Sequence, residues 1–522
     1  MSSLPPRLLL AALLAPALAL AAAGAADTGA AAPPPPADTA DASSPAMDAI
    51  SNSVVKIYST VTRPDVSKPW ASLPPQDEVE SGVVIEGHRI LTNAHDVLYS
   101  KQVLVKAGEG DDKLSATVVA FSPGLDLAIL KLDDDTFFQT HPPVRLWGEL
   151  PHTREMVSII GYPADATNLS AVKITVTHID FAPYGGGASG LRIRLNSEVA
   201  AGVSGGAIVS GDHLIGVACR HGSGNNAFSF GIPTEEILPF INSPAAGLYP
   251  RKHGSYVETQ HLENAGLRAF LGLDPSVHGV VVPSTADLPV THGATQLDKW
   301  DVITEAANEK VDDQGQVPLP GNGRVGFRYL YQSPGLTTSI PVSLLRAGKP
   351  VNVDLVLEPS RPTLIPEPDG TSPSYFILGP VVFSAASSHL MALLAGSPEL
   401  EAALCYRGSP LATRRTDHPA FPGEELVFIA SPFFPHNLAI GYSNPVLETV
   451  KAVNGIAIKN LAHLVQVLHD SKDEFVVIEF AERESETLVF PRKAMIAATD
   501  DILNDNGVRS QGSTDMMAIW NK

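Results

Sequence analysis

The chain has 522 residues, of which 44% are hydrophobic and 18% charged, so it can bury several cores and is too weakly charged for a disordered polyelectrolyte. Its 36 Lys and Arg stand against 56 Asp and Glu, and the formal charge of −20 repels phosphate backbones and anionic membrane surfaces, which argues against nucleic acid as a partner. Forty-two glycines and 44 prolines without a G-X-Y period exclude a collagen-like chain.

Residues 1–26 carry one charge, Arg7, then an Ala/Leu-rich run from Leu8 to Ala23 broken by Pro16, then the small residues Gly24, Ala25 and Ala26. This pattern predicts a signal peptide cleaved near Ala25 or Ala26, with an uncleaved anchor as the alternative. No other stretch could cross a bilayer, so no stable membrane span is expected. Residues 27–46 hold no Leu, Ile, Val or aromatic side chain and include four consecutive prolines, Pro33 to Pro36, and they read as a stiff linker.

Short apolar, β-rich runs then follow at 53–58, 82–85, 103–105, 116–119, 127–130, 157–160, 174–176, 191–195, 207–209 and 214–217. They are separated by turn residues with no long helical period, which predicts an all-β barrel or sandwich over 47–245, closed by a helix at 234–241. Beyond Pro250 the chain mixes strands with a helix or two in two smaller α+β segments, 253–360 and 374–495, joined by a proline-rich linker from Glu358 to Pro373. In the second, Leu447 to Val453 is an expected strand, Asn454-Gly455 a hairpin turn, and Asn460 the cap of a helix over 461–468. Residues 496–522 read as a tail. The two cysteines, Cys219 and Cys405, lie in different segments and need not pair; Cys219 reads as a small buried hydrophobe on a strand.

Three short strings carry chemistry. His95 ends Leu91-Thr92-Asn93-Ala94-His95, Asp126 heads the apolar run 127–130, and Ser204 sits in Gly202-Val203-Ser204-Gly205-Gly206. Each alone is weak, since a lone His, a turn Asp and a Ser in a glycine loop are usually structural. Together they meet one requirement: a serine hydroxyl needs an imidazole to remove its proton, and the imidazole needs a carboxylate on its other nitrogen. His95 is the expected base, Asp126 its orienter and Ser204 the nucleophile, with the N–H groups of Gly202 and Ser204 as oxyanion donors. The chain order His, Asp, Ser is that of chymotrypsin-like barrels. No HExxH, CxxC pair, Walker loop or GxGxxG after a strand occurs, so no metal or cofactor is expected.

At these residues the sequence resembles the HtrA/Deg trypsin-like serine proteases, which carry C-terminal PDZ domains. The likeness extends to Ser81-Gly82-Val83-Val84-Ile85, Ile90 to His95, Asp126 to Leu132, Gly161-Tyr162-Pro163 and Phe230-Gly231-Ile232-Pro233-Thr234, and Pro373 to Gly379 with the Asn454-Gly455 segment is similar to plant-type Deg proteases with an unusual second PDZ domain. The resemblance implies a mainly β fold, a chymotrypsin-like double β-barrel protease domain followed by two α+β PDZ-like domains. It also implies a periplasmic or otherwise exported serine endopeptidase acting on misfolded or damaged polypeptides in envelope quality control, as a homo-oligomer built from trimers. The rival expectations are a non-catalytic chaperone or PDZ scaffold and, more distantly, a hydrolase of small esters.

Two positions depart from the family. Val203 replaces the usual Asn before the nucleophile. Glu198 stands six residues before it, where trypsins place an acid that binds basic side chains; it would line the S1 pocket and draw in Lys or Arg, or else be a surface glutamate. Val199, Ala200, Ala201, Val217 and Ala218 are small and apolar, which favours uncharged aliphatic P1 residues. By the same resemblance, Ser255, Tyr256 and Val257 form the carboxylate loop of the first PDZ domain, which would capture C-terminal peptides, and the second domain serves capture or assembly.

Overall fold

The computed structural model describes residues 50–108, 112–184, 189–221, 228–243, 247–248, 257–285, 297–332, 339–357 and 363–522. The expected signal peptide and the linker that follows it lie outside these residues. The described residues divide into two compact units, one holding those of 50–61 and 77–357, the other 62–76 together with 363–522.

The first unit holds two closed antiparallel barrels. Strands β1 (Val54–Val61), β2 (Gln76–Ile85), β3 (Arg89–Thr92), β4 (Ser100–Lys106), β5 (Leu114–Ser122) and β6 (Leu127–Leu132) form the first, in the order β5-β4-β1-β2-β3-β6 with β6 paired back onto β5. After a short β7 (Arg145–Leu146), the second is built from β8 (Met156–Gly161), β9 (Ser170–Pro183), β10 (Ser189–Leu195), β11 (Ala207–Ser210), β12 (His213–His221) and β13 (Phe228–Pro233). Its order is β11-β8-β9-β10-β13-β12, closed by β11 on β12. Closure removes the exposed strand edges that an open sheet would present. The expected apolar runs fall in these strands, save Ser53, which precedes β1, and a helix spans Thr234–Ile241.

Alternation along each strand sends one side chain in two into a barrel. Ile57, Ile90 and Leu130 fill the first, each fully buried, at about 1.5–3 kcal/mol per side chain. Val83, Leu91 and Leu127 of the first barrel share a cluster with Ile160, Val209 and Phe230 of the second, which seals the seam between them. A smaller α+β domain packs on the second barrel. Its sheet runs Gln260–His261, Val280–Val281, Val302–Ala306, Ser339–Arg346 and Lys349–Val356, and it is tied to the barrel by Thr153 N–H on Asn322 Oδ1 and by Gln332 Nε2 on the Ser189 carbonyl.

The second unit has a three-stranded sheet (Tyr375–Leu378, Val381–Ala385, Val427–Ile429) and a four-stranded one (Ile456–Ala457, Val450–Val453, Phe475–Phe480, Leu488–Pro491). Asn454 (φ 49°) and Gly455 (φ 74°) make the expected turn, and Asn460 Oδ1 accepts the His463 N–H to cap a helix over Leu461–Asp470. Trp70, from the segment between β1 and β2, packs its ring 5.5 Å from Phe434 and 6.1 Å from Tyr375.

Three expectations need correction. The strand expected from Leu447 begins at Val450, because Leu447 takes a left-handed backbone (φ 65°) that breaks the extended run. Residues 496–522 are no tail: helices Arg492–Asp505 and Thr514–Trp520 bury Ile502, Leu503 and Met516 in the cores of this unit, and Ile377 N–H bonds the Gln511 carbonyl. Leu364 and Ile365, within the expected linker, are also buried there, since two adjacent apolar residues have more to gain from a core than from water.

Candidate active site

Two turns and one strand assemble the site at the seam between the barrels. His95 follows β3. Asp126 stands just before β6 with φ 58°, a left-handed conformation that Asp tolerates better than most residues. Asn93 Nδ2 bonds the Asp126 carbonyl at 2.9 Å, and the His95 backbone N–H bonds Asp126 Oδ1 at 2.9 Å, so ring and carboxylate meet in a fixed orientation. Nδ1 of His95 then lies 2.7 Å from Asp126 Oδ2. Nδ1 carries the hydrogen in that pair, because an ionised carboxylate only accepts.

The Ser204 turn is held from the first barrel. Ser81 Oγ donates to the Gly202 carbonyl (2.7 Å) and accepts from Tyr162 N–H (2.8 Å), and Ser81 N–H donates to the Ser204 carbonyl (2.9 Å). Gly202 has φ 85°, and a Cβ there would lie 2.4 Å from the Ala164 nitrogen, so only glycine fits. Among the described residues no acceptor takes the N–H of Gly202 or of Ser204, whereas Val203 N–H is spent on the Ala200 carbonyl.

Adjacent residues of β12 join the two halves. Cys219 Sγ donates to Asp126 Oδ2 at 3.2 Å, and Arg220 N–H donates to Ser204 Oγ at 3.1 Å. Nε2 of His95 is engaged by Asp96 Oδ1 at 3.0 Å. The structure therefore brings His95 and Asp126 into direct contact and sets Ser204 on the neighbouring turn, with its hydroxyl bonded to backbone.

Burial acts against the charge on His95, but the carboxylates of Asp126 and Asp96 outweigh it and hold the imidazole pKa well above its ordinary value. Burial and the nearby Asp96 push Glu80 up to about 9, so it is protonated at neutral pH. Burial, then the Asp126 charge, pushes the Cys219 thiol well up. His95, Asp126 and Cys219 offer ligand atoms within 4.8 Å of one another. Asp126 Oδ2 is already hydrogen-bonded to both of the others, and a thiol held protonated is a poor metal ligand.

The pocket residues are scattered in character. Val199 and Ala218 are buried while Ala200 is exposed. Glu198 is exposed in the segment after β10 and makes no hydrogen bond or ion pair among the described residues. Val203 turns inward, its Cγ1 packed against Gly161. Of the expected carboxylate loop, Ser255 and Tyr256 lie outside the described residues; Val257 is buried and its carbonyl accepts from Arg328. Sequence reasoning passed over Asp96, Glu80 and the polar role of Cys219. The one signal available was an acid placed directly after the histidine and before the apolar Val97 and Leu98.

Residues 80–217 match the trypsin-like peptidase domain family and residues 366–515 a PDZ domain family. The chain is 32% identical over 473 residues to Protease Do-like 2, chloroplastic, of Arabidopsis thaliana, covering 89% of this chain and 75% of that protein. It is 28% identical over 474 residues to Putative protease Do-like 3, mitochondrial, of the same plant, covering 90% and 81%. Among solved structures, HtrA-type protease AlgW with a decapeptide superposes with a TM-score of 0.44 at 22% identity, over 60% of this chain and 98% of that one. Identity of 32% over 89% of the chain, together with matches to both a trypsin-like peptidase and a PDZ domain, makes the chain a member of the HtrA/Deg family of trypsin-like serine endopeptidases.

Proposed function

We propose that this endopeptidase cuts unfolded polypeptides by an acyl-enzyme mechanism carried by Ser204, His95 and Asp126. The observation that carries the reading is the His95 Nδ1–Asp126 Oδ2 bond of 2.7 Å, joined through consecutive residues of β12 to the Ser204 turn. In the reaction His95 Nε2 takes the Ser204 Oγ proton as Oγ bonds to the scissile carbonyl carbon. The carbonyl oxygen gains the electron pair and is met by the N–H groups of Gly202 and Ser204. Nε2 then gives its proton to the departing amine nitrogen, leaving an acyl ester that water cleaves by the same route in reverse.

The wider role is protein quality control after export into the periplasm, as a homo-oligomer built from trimers. It is supported by the signal-like composition of residues 1–26 and by the PDZ domain, a module that recognises peptides. Among the described residues no helix is long and apolar enough to cross a membrane. Glu198, exposed and without a hydrogen bond or ion pair among the described residues, gives little reason for basic P1 selection, and the small apolar Val199 and Ala218 favour aliphatic residues.

Fluorophosphonate labelling and casein digestion test the mechanism, with Ser204→Ala beside the native chain. Loss of both in the variant is the expected result, and a variant that still digests casein overturns the reading. Sizing chromatography and fractionation of expressing cells test the assembly and the compartment.

A further inference from the structure

Nε2 of His95 is the atom that must accept the serine proton, yet it lies 3.0 Å from a carboxylate oxygen. We propose that Asp96 is a positioning residue that latches the active site at rest: its carboxylate competes with Ser204 for Nε2 of His95, and hydrolysis waits on release of that contact. This inference rests on the triad reading above.

Three observations support it. Asp96 is buried to 1% exposure, and its backbone is pinned by Ser59 Oγ on its carbonyl at 2.8 Å, so the side chain is delivered to the ring from a fixed position. Its second oxygen, Oδ2, is buried with no hydrogen-bond partner among the described residues. A buried carboxylate so poorly served elsewhere loses much of its compensation if the imidazole leaves. Ser204 Oγ, for its part, accepts the Arg220 N–H.

With Nδ1 facing Asp126 and Nε2 facing Asp96, both ring nitrogens donate, and the ring is an imidazolium, which has no lone pair to act as a base. Two carboxylates favour that proton: Asp126 from the turn before β6 and Asp96 from the histidine's own loop. The other ionisable groups of this region do not hold it: Glu80 of β2, with Glu78 behind it, is neutral at this pH, the Cys219 thiol of β12 is protonated, and Arg220 of β12 carries a like charge. Release is a proton shift: Nε2–H passes its proton to solvent base, the ring becomes neutral and loses its hold on the Asp96 carboxylate, and the freed Nε2 lone pair accepts the Ser204 hydroxyl.

The test is the rate at which a fluorophosphonate labels the full-length chain between pH 5 and 9, for the native protein, Asp96→Asn, Asp96→Ala and Ser204→Ala. Asn keeps the shape and removes the charge; Ala removes both. A carboxylate this close to a cation moves a pKa by about 1–3 units, so at pH 6 at least one Asp96 variant should label about tenfold faster or more than the native chain, with the rates converging at high pH. If Ser204→Ala is silent and both Asp96 variants follow the native profile, the latch is overturned and the triad stands. If Ser204→Ala labels like the native chain, the triad reading fails first. Because an Asp96 variant can fail to fold, a second measurement uses the native chain alone: ¹⁵N-histidine spectra, with His95 assigned by its loss in His95→Gln. Two protonated nitrogens on His95 at pH 7 support the latch, and a neutral ring with bare Nε2 at pH 7 overturns it.

Discussion

Cys219 and His95 converge on one atom: the thiol lies 3.2 Å, and Nδ1 2.7 Å, from Oδ2 of Asp126. The carboxylate that orients the histidine is thus itself oriented by a side chain of β12. Because burial and Asp126 hold the thiol pKa well up, Cys219 stays protonated and keeps donating at neutral pH.

Cys219→Ala removes that donor. A neutral-to-charged hydrogen bond is worth on the order of 1–2 kcal/mol, so kcat/KM on casein should fall about five- to thirtyfold, and Cys219→Ser should recover most of it. Equal rates for the Ala and Ser variants would reduce Cys219 to packing. In the folded protein a maleimide should react at Cys405, which is exposed, and spare Cys219.

Glu80 has a pH signature of its own. Its folded-state pKa of about 9 lies above the ordinary 4.5, so the folded chain binds this proton more tightly than the unfolded one. The resulting stabilisation is fully present below about pH 4.5 and is lost as the pH climbs through 9. Glu80→Gln, neutral throughout, should melt at a higher temperature than the native chain at pH 9, with the gap closing toward pH 5. A pH-independent difference in melting temperature would refute the assignment.

Gly202→Ala should abolish the Ser204 turn. Its new Cβ would meet the Ala164 nitrogen at 2.4 Å and the Tyr162 carbonyl at 2.7 Å, both backbone atoms that cannot step aside. In the proposed mechanism the Gly202 N–H is an oxyanion donor; displacing such a donor costs about 10²- to 10³-fold in rate, and casein hydrolysis should fall by at least that much while the barrels still melt cooperatively.

Trp70→Ala tests whether the segment 62–76 truly belongs to the second unit. The half-buried ring contacts Tyr375 and Phe434, and its loss should lower that unit's stability by about 1–3 kcal/mol and open 62–76 to limited proteolysis. Unchanged cleavage kinetics would mean that the ring contributes little there.

Much of this protein is legible from local pattern. Period-two apolar runs mark the barrel strands because a pleated strand sends alternate side chains to opposite faces. Asn454-Gly455 and Asn460 announce a turn and a helix start through their own backbone and capping preferences. His95, Asp126 and Ser204 stand out because their chemistry needs particular residue types in a particular chain order. The expected tail failed for a related reason: the apolar residues of 492–520 are too sparse to show a core-facing stripe until the three-stranded sheet beside them is known.

Barrel closure supplied what local pattern does not contain. Cys219 is 93 positions from Asp126, and Arg220 is 16 from Ser204; each meets its partner because β12 runs along the seam. Asp96 and Glu80 look like ordinary surface acids in a chain of charge −20, and they gain their character only when water is excluded around them. Residue identity dictates which groups can form a proton relay. Their protonation and their partners depend on burial and on charges brought in from elsewhere in the chain, and those are properties of the folded molecule.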